Sequence, residues 1–254
     1  MNEILDQIRE NFWLCVIISS VPAYFIGSVS FARILYFFVK KSPEIGKFSE
    51  AVPHSDEVFE SDLVSATLVA KQLGAKYGCL TSIADMAKVA VPALLVKTLL
   101  TAHPFYLLTA VFGIFGHNYP VYYSFKGGRG ESPLLGALLV INWFGLLIVN
   151  VAATILGFIT GSVLVVRWGG YILMVPWLWI YFKDIWYVLF MLVANLLFWF
   201  SMRKDLARFN QLKKEKGLKF TEEEVSEFIL MGKSLGRALD KYSIYAMIKK
   251  RIRA

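Results

Sequence analysis

The chain has 254 residues, of which 57% are hydrophobic and only 18% are charged, and its mean hydropathy is +0.55. A soluble domain usually carries about 45–50% apolar and about 25% charged residues, so the composition excludes an ordinary soluble protein. The formal net charge is +8, and residues 203–254 supply +7 of it, with 14 Lys/Arg against 7 Asp/Glu. The rest of the chain is therefore nearly neutral, as expected of segments that lie in lipid.

Long uncharged runs predict membrane-spanning helices. Residues 133–166 carry no charged side chain over 34 positions, residues 185–202 carry none either, and residues 12–39 carry only Arg33. A single span needs about 20 apolar residues. The runs lack the alternation of a transmembrane barrel, and a helix satisfies its own backbone hydrogen bonds in lipid. The sequence therefore predicts an all-α, polytopic transmembrane helix bundle with a basic helical cytoplasmic tail.

About seven spans are predicted in chain order. Their ranges are 12–39, 80–101, 104–124, 134–149, 150–166, 169–183 and 185–202. The stretch 134–166 is split because 34 helical residues would extend about 51 Å, which exceeds a hydrocarbon core of about 30 Å. Residues that could break this stretch are Asn142, Gly145, Asn150 and Gly157.

Basic residues predict the orientation of the chain in the cell membrane. They follow the first span and recur in later loops, at Lys40, Lys41, Lys47, Lys126, Arg129, Arg203 and Lys204. Because loops rich in Lys and Arg stay in the cytoplasm, we expect the N-terminus outside and the C-terminal tail inside.

The predicted parts of the chain are a transmembrane domain, residues 1–204, and a basic tail, residues 205–254. Apolar and basic positions recur at roughly helical spacing between residues 220 and 253. Such a helix can lie on anionic lipid, or it can be a solvated helix that packs on loops. The sequence leaves both interpretations open.

Residues 40–61 are predicted to be a loop, because they combine many charges with Pro43, Gly46 and Pro53. A short helix is predicted within 62–74, ending at Gly74. The two cysteines, Cys15 and Cys79, lie at or within apolar segments. This placement favours buried thiols over a disulfide or a metal pair.

Ionisable side chains inside a span are costly and need partners. Asp85 and Lys88 are three residues apart, on one face of a predicted helix, and can form an ion pair. Alternatively, Lys88 directs its cation at an anionic substrate. Arg33 and Lys97 lie near the ends of their segments, where a long side chain can reach the membrane surface, and we assign them no role in a site.

A glycine-rich basic turn follows the third predicted span, in GHNYPVYYSFKGGRGESP, residues 116–133. Its glycines and cations are Gly127, Gly128, Gly130, Lys126 and Arg129. The glycines let backbone N–H groups approach a ligand, and the cations attract phosphate. A helix N-terminus after the turn would strengthen such a site. The spacing is not that of a Walker A loop, and an ordinary membrane-surface loop is the alternative.

His117 and Asn118 open this turn. An imidazole here can hydrogen-bond a substrate hydroxyl or act as a general base. The alternative is a structural histidine that bonds the loop backbone.

Four segments in this order resemble the PlsY-type glycerol-3-phosphate acyltransferases, small polytopic enzymes of bacterial phospholipid synthesis. The segments are GSVSF at 27–31, ESDLVSATLVAKQLG at 60–74, Asp85 with Lys88, and residues 116–130. They are similar to the family's GSxPF, GSGNIGATNxxRxxG, DxxK and GHxxPxxxxFKGGKG. The resemblance extends over residues of about 20 to 205, and the last segment matches nearly residue for residue.

The resemblance implies transfer of an acyl group from acyl phosphate to glycerol 3-phosphate, giving lysophosphatidic acid and phosphate. It implies the bilayer as surroundings, no cofactor or metal, and no nucleic acid. By position, the residues implied to be catalytic are Ser61, Lys71, His117 and Arg129, and those implied to bind substrate are Lys88, Asn118, Lys126, Gly127, Gly128 and Gly130. Lys71 stands where the family has arginine, and Arg129 where it has lysine.

The chain departs from the family pattern most in two segments. In residues 60–74, which we call the first motif, Glu60, Asp62 and Ser65 replace glycines, and Leu63 and Leu68 replace asparagines. Near the last motif, the family's His and Asn align with Met202 and Asp205. We therefore keep two alternatives: a non-catalytic relative that binds lipid or phosphate, and an enzyme that acylates another polyol phosphate.

Overall fold

The structure is a computed structural model that describes residues 10–52, 58–215 and 233–247. Its described residues belong to two compact units. The first unit comprises those within Met1–Glu50, Phe59–Asn142 and Leu192–Met202, and the second comprises those within Ala51–Val58, Trp143–Met191 and Arg203–Ala254.

Helices dominate the described residues. In chain order the elements are α1 (Phe12–Gly27), α2 (Phe31–Lys40), β1 (Phe48–Ala51), β2 (Val58–Ser61), α3 (Ala66–Leu73), α4 (Ala75–Leu99), α5 (Phe105–Asn118), a 3₁₀ turn (Val121–Tyr123), α6 (Glu131–Thr160), α7 (Val163–Phe182), α8 (Ile185–Glu215) and α9 (Lys233–Tyr242). Among the described residues, five stretches are long and apolar enough to cross a membrane: Phe12–Lys40, Ala75–Leu99, Glu131–Thr160, Val163–Phe182 and Ile185–Gln211. The predicted polytopic helix bundle is thus observed.

The predicted span 12–39 is interrupted after Gly27. Ser28 and Ser30 lie in the interruption, where the Ser28 hydroxyl donates to the carbonyl of Tyr24 at 2.8 Å and the Ser30 hydroxyl accepts from the backbone N–H of Arg33 at 3.4 Å. Serine side chains offer the backbone such alternatives to helical bonding. The carbonyl of Val29 lies in this interruption and accepts a hydrogen bond from the ammonium of Lys88 of α4.

Close packing of α1 against α5 brings this interruption to the C-terminal end of α5. A Cβ at Gly27 would overlap the backbone of Gly113, and a Cβ at Gly116 would overlap the carbonyl of Tyr24. Small residues allow membrane helices to approach to backbone contact. Larger side chains at these glycines would force α1 and α5 apart.

The predicted loop 40–61 contains two strands, so that prediction is wrong for part of its length. β1 and β2 form a two-stranded sheet, and residues 53–57 between them lie outside the described residues. The predicted short helix is confirmed as α3. Its N-cap Ser65 accepts a hydrogen bond from the N–H of Leu68 at 3.3 Å, and it ends at Gly74 with φ of 100°.

The predicted boundaries within 134–183 differ from those observed. The segments 134–149 and 150–166 meet within α6, whose backbone leaves helical geometry at Asn142 (φ −158°, ψ 80°), one of the expected break points. The next break is at Gly161 and Ser162, between α6 and α7. Segment 104–124 corresponds to α5, whose 14 residues are short for a span. The count of seven spans is therefore not confirmed.

The second unit includes α7 and the described tail. α8 continues past residue 204, the predicted end of the transmembrane domain, to Glu215. Within the tail, α9 packs against α7.

Side chains on the outside of the spans are large and apolar, such as Val91, Leu94 and Leu95 of α4, each more than half exposed. This is the surface expected of helices in lipid.

The two cysteines differ in their surroundings. Cys15 of α1 is buried against Leu100 and Phe105, as predicted. Cys79 is exposed on α4, so the prediction of a buried thiol is wrong there. An apolar stretch in a membrane helix does not say which of its faces points to lipid.

Candidate active site

A pocket in the first unit lies where all four of the sequence motifs meet. Its lining includes residues 27–30 between α1 and α2, Asp85 and Lys88 of α4, His117 of α5, and residues 127–128 of the glycine-rich loop. These segments are far apart in sequence. The close packing of α1 on α5 brings them to one place.

Lys88 is the charged centre of this pocket wall. Its ammonium donates to the carbonyl of Val29 at 2.7 Å, forms an ion pair with Asp85 at 2.8 Å, and lies 2.9 Å from Nδ1 of His117. The side chains of Lys88 and Asp85 are 3% and 4% exposed. An ammonium has three N–H donors, and three protein groups surround this one.

The predicted Asp85–Lys88 ion pair is therefore confirmed. The alternative, in which Lys88 directs its cation at a substrate, is less favoured by the geometry, because Val29, Asp85 and His117 already surround the ammonium. We call Asp85, Lys88 and His117 the buried charge cluster. It joins α4 to α5 and to the interruption between α1 and α2.

The buried charge cluster bears on the tautomer of His117. Lys88 Nζ lies 2.9 Å and Asp85 Oδ1 3.6 Å from Nδ1 of His117. Where Nδ1 accepts from the ammonium, the neutral ring carries its proton on Nε2. Nε2 lies against Gly128, where an added Cβ would overlap it. The expected structural alternative had the imidazole bonding the loop backbone; instead, it contacts Lys88.

Backbone bonds hold the glycine-rich loop against the end of α5. The N–H of Gly128 donates to the carbonyl of His117 at 3.1 Å. A Cβ at Gly127 would overlap that same carbonyl, so the chain passes too close for a side chain. Gly130 has φ of 86°, in the left-handed region, and faces the side-chain oxygen of Asn118. The loop then enters α6 at Glu131.

Arg33 also supports the loop, a role that the sequence analysis missed. Its guanidinium donates to the carbonyl of Lys126 at 3.2 Å and lies 4.8 Å from the ring centre of Tyr123. Lys97 donates to the carbonyl of Val140 at 2.7 Å. Both side chains bond the protein rather than extend to the membrane surface. The sequence signal for the role of Arg33 was its position as the one charged residue of the predicted span 12–39.

The first motif meets the glycine-rich loop through a backbone hydrogen bond. The N–H of Val64 donates to the carbonyl of Gly127 at 3.2 Å, and Val64 also lines the pocket. These two loops are the ones that the motif pattern associates with phosphate.

Comparison with known proteins identifies the family. A family model described as glycerol-3-phosphate acyltransferase matches residues 54–211, more than half of the chain. The chain belongs to the glycerol-3-phosphate acyltransferase family. A family member from Mycoplasma capricolum subsp. capricolum is 30% identical over 218 residues, covering 75% of this chain and 78% of the relative. One from Mycoplasma mycoides subsp. mycoides SC is 29% identical over 215 residues, covering 75% and 79%.

Two solved structures share the fold of this acyltransferase. The crystal structure of PlsY (YgiH), an integral membrane glycerol 3-phosphate acyltransferase, in its glycerol 3-phosphate form has 24% identity and a TM-score of 0.59, covering 83% of this chain and 98% of that one. The lysophosphatidic acid form has 22% identity and a TM-score of 0.58, covering 84% and 97%. The chain is therefore a multi-pass membrane protein with the PlsY fold.

The other predicted site residues of the acyltransferase are not part of the pocket lining. Ser61 is buried at the end of β2, and its hydroxyl accepts from the N–H of Leu63 at 3.2 Å. Lys71 is exposed on α3, with its ammonium 3.9 Å from the ring centre of Phe48. Lys126 is exposed and Arg129 half-buried. Asn118 is buried and donates to the carbonyl of Leu197 at 3.2 Å.

The residues of this acyltransferase that depart from the family pattern are variously ion-paired, exposed or packed in the core. The carboxylate of Glu60, which would repel a phosphate, forms an ion pair with Lys47 at 3.0 Å that offsets part of its charge. Asp62 is exposed. Met202 is 1% exposed, as in a packed core, and Asp205 is half-buried.

Proposed function

We propose that the chain transfers a fatty acyl group from an acyl phosphate to the hydroxyl of glycerol 3-phosphate, giving lysophosphatidic acid and inorganic phosphate. The observation that carries the proposal is the convergence of residues 27–30, the buried charge cluster and the glycine-rich loop on one pocket. Family membership supports the acceptor and the reaction class. The acyl phosphate donor is our proposal from the phosphate-binding character of the loops.

The chemistry needs electrostatic stabilisation more than a protein nucleophile, because acyl phosphate is already activated. The hydroxyl oxygen forms the ester bond to the acyl carbon, and the bond from that carbon to the phosphate oxygen breaks. Cations and N–H groups stabilise the charge that develops on the oxygens. Lys126, Arg129 and the backbone N–H groups of Gly127 and Gly130 can supply these groups, together with Ser61 at the end of β2 and Lys71 of α3.

His117 acts in this proposal as a hydrogen-bond donor. With Nδ1 accepting from Lys88, the neutral ring holds its proton on Nε2 and cannot accept another there. The hydroxyl proton of glycerol 3-phosphate therefore leaves on the released phosphate, whose oxygens are close to the attacking hydroxyl during the reaction. The protein needs no general base in this scheme.

A second function is favoured by one observation at the last motif. Met202, at a position where the family has histidine, is packed in the core, and no histidine follows His117 in the chain. A relative that binds glycerol 3-phosphate or lipid without turnover would tolerate this change. Acylation of another polyol phosphate is a third possibility that the same assay can test.

The deciding experiment uses the full chain, purified in lipid, with a long-chain acyl phosphate and labelled glycerol 3-phosphate. We expect labelled lysophosphatidic acid and an equal amount of phosphate. Arg129→Ala should abolish turnover and Arg129→Lys should retain it, with the exposed Lys204→Ala as the matched control. Binding of glycerol 3-phosphate without product, where another family member turns over, would refute catalysis and support the binding protein.

We also propose that the N-terminus lies outside the cell and that residues after 202 lie in the cytoplasm, on the basis of the basic loops. In a cysteine-free background, a cysteine at Lys204 should react with an impermeant maleimide only after the cells are opened. Labelling of intact cells at this position would reverse the orientation.

A further inference from the structure

The described end of the tail carries two exposed cations on one helical face. Arg237 and Lys241 are four residues apart on α9, and both are exposed. The opposite side of the helix is anchored, since Leu239 is 1% exposed. Residues 233–254 contain seven Lys/Arg and a single acidic residue, Asp240. This part of the chain is therefore strongly basic.

The chain after α9 packs at the boundary of the membrane. Ser243 and Tyr245 fill the space beside Gly161, with atoms 3.3 and 3.2 Å from the position of a Cβ there. Gly161 lies in the turn between α6 and α7. The 20 residues of α7 extend about 30 Å, the thickness of the hydrocarbon core. The turn that precedes α7, and with it residues 243–245, must therefore lie at one surface of the bilayer.

An apolar ridge stands next to the two cations. Tyr242, Ile244, Tyr245 and Met247 are each between 47% and 56% exposed. The Lys241 ammonium lies 4.9 Å from the ring centre of Tyr242, so charge and apolar surface are adjacent. Tyrosines at the headgroup level, apolar side chains below and Lys or Arg beside them are typical of segments that lie in the membrane interface.

We propose that residues 237–247, the tail ridge, lie on the bilayer surface and bind anionic phospholipid headgroups. Arg237 and Lys241 contact the phosphates, and the apolar side chains enter the acyl boundary. Two observations favour a lipid surface as the partner: the packing of residues 243–245 beside the turn at Gly161, and the positive charge of this part of the chain. Because the tail ridge is covalently joined to α8, it stays beside lipid, and a weak attraction for each cation is sufficient. The proposal does not depend on the acyltransferase activity.

The test uses the full chain with Cys15→Ala, Cys79→Ala and a spin label on Met247→Cys. The protein is reconstituted in phosphatidylcholine alone and in phosphatidylcholine mixed with anionic phosphatidylglycerol. Collision of the label with oxygen, which enters lipid, and with a water-soluble nickel complex reports its depth. We expect the anionic lipid to shift the label from the nickel complex towards oxygen, and added salt to weaken that shift.

Two variants make the test specific to charge. Arg237→Gln with Lys241→Gln should abolish the difference between the two bilayers, whereas Arg237→Lys with Lys241→Arg should retain it. Both positions are exposed, so neither pair removes packing. A label on Tyr181→Cys, on the exposed side of α7, is the control and should be unaffected by lipid charge. Equal nickel accessibility of position 247 in both bilayers, or an unchanged shift in the glutamine variant, would overturn the proposal.

Discussion

The glycine-rich loop and the first-motif segment, residues 60–74, both resemble the family's phosphate-binding segments, yet different contacts support them. The glycine-rich loop rests on the buried charge cluster and on backbone bonds to α5. The first-motif segment presents an exposed Lys71 of α3 on the ring of Phe48 and an acidic Glu60 of β2 paired with Lys47. Buried contacts hold the glycine-rich loop, whereas the charged side chains of the first-motif segment are exposed. We therefore expect substitutions around the glycine-rich loop to have the larger effects.

The largest effect is expected from Lys88→Met, which leaves the buried Asp85 without its cation. Loss of one partner of a buried ion pair typically costs about 3–5 kcal/mol. Thermal unfolding of the full chain in detergent should show the loss, and Asp85→Asn combined with Lys88→Met should recover most of it. If the single and double variants were equally unstable, the ion pair would not be what holds these segments together.

Gly128→Ala should displace the glycine-rich loop rather than destabilise the fold. The added Cβ would overlap Nε2 of His117, and moving the loop by about 1 Å can lower turnover about 100-fold. Gly46→Ala is the matched control, since its Cβ would meet only the flexible end of Gln72. Comparable rates for the two variants in the acyl phosphate assay would contradict a tightly placed loop.

Lys71→Met tests whether the first-motif segment contacts the substrate phosphate. The substitution keeps an apolar stem on Phe48 and removes the charge, so a role at the substrate phosphate predicts about a tenfold loss of kcat/KM, within the range of a hydrogen bond to a charged group. Lys71→Arg restores the charge and should retain the rate. An unchanged rate in Lys71→Met would make Lys71 a packing residue.

His117→Asn distinguishes a donor from a general base. Loss of one neutral hydrogen bond of about 1 kcal/mol corresponds to about a fivefold lower rate, and the shape of the pH–rate profile should remain that of the wild type. Disappearance of an ionisation from the profile would show that His117 accepts the proton, contrary to the tautomer in which Nδ1 accepts from Lys88.

The smallest effect is expected from Glu60→Gln. Glu60 and Lys47 have side chains 45% and 56% exposed, and exposed ion pairs contribute about 0–1 kcal/mol. We expect less than about a twofold change in KM for glycerol 3-phosphate. A large fall in KM would show that Glu60 repels the substrate despite its partner, and would place this loop closer to the phosphate than proposed.

Burial in lipid made the spans predictable, because charges are costly there and their absence is visible in the sequence. Asn142 was among the expected break points, but the choice of Asn142 over Gly145 or Asn150 depends on tertiary packing. The same holds for Cys79, since α4 carries apolar residues on both its lipid and its protein faces. Strands β1 and β2 were missed because the many charges of residues 40–61, with their prolines and glycine, suggested a loop.

The site was predictable where its residues are neighbours in sequence. Asp85 and Lys88 share a helical face, and the loop 126–130 is continuous. The contact of Lys88 with His117 joins residues 29 positions apart, and its contact with Val29 depends on the interruption between α1 and α2. No periodicity reports such contacts. Arg33 was misread for the same reason, because its partner Lys126 belongs to a distant loop.

The spacing of Asp85 and Lys88 has a consequence for biogenesis. On insertion scales, each charged residue at the centre of a membrane helix costs about 2.5–3.5 kcal/mol. The two side chains lie on the same helix at i and i+3, so α4 can enter the bilayer as a locally neutral segment before α5 is made. Moving the carboxylate to another helix would keep the net charge but expose a lone lysine to the translocon.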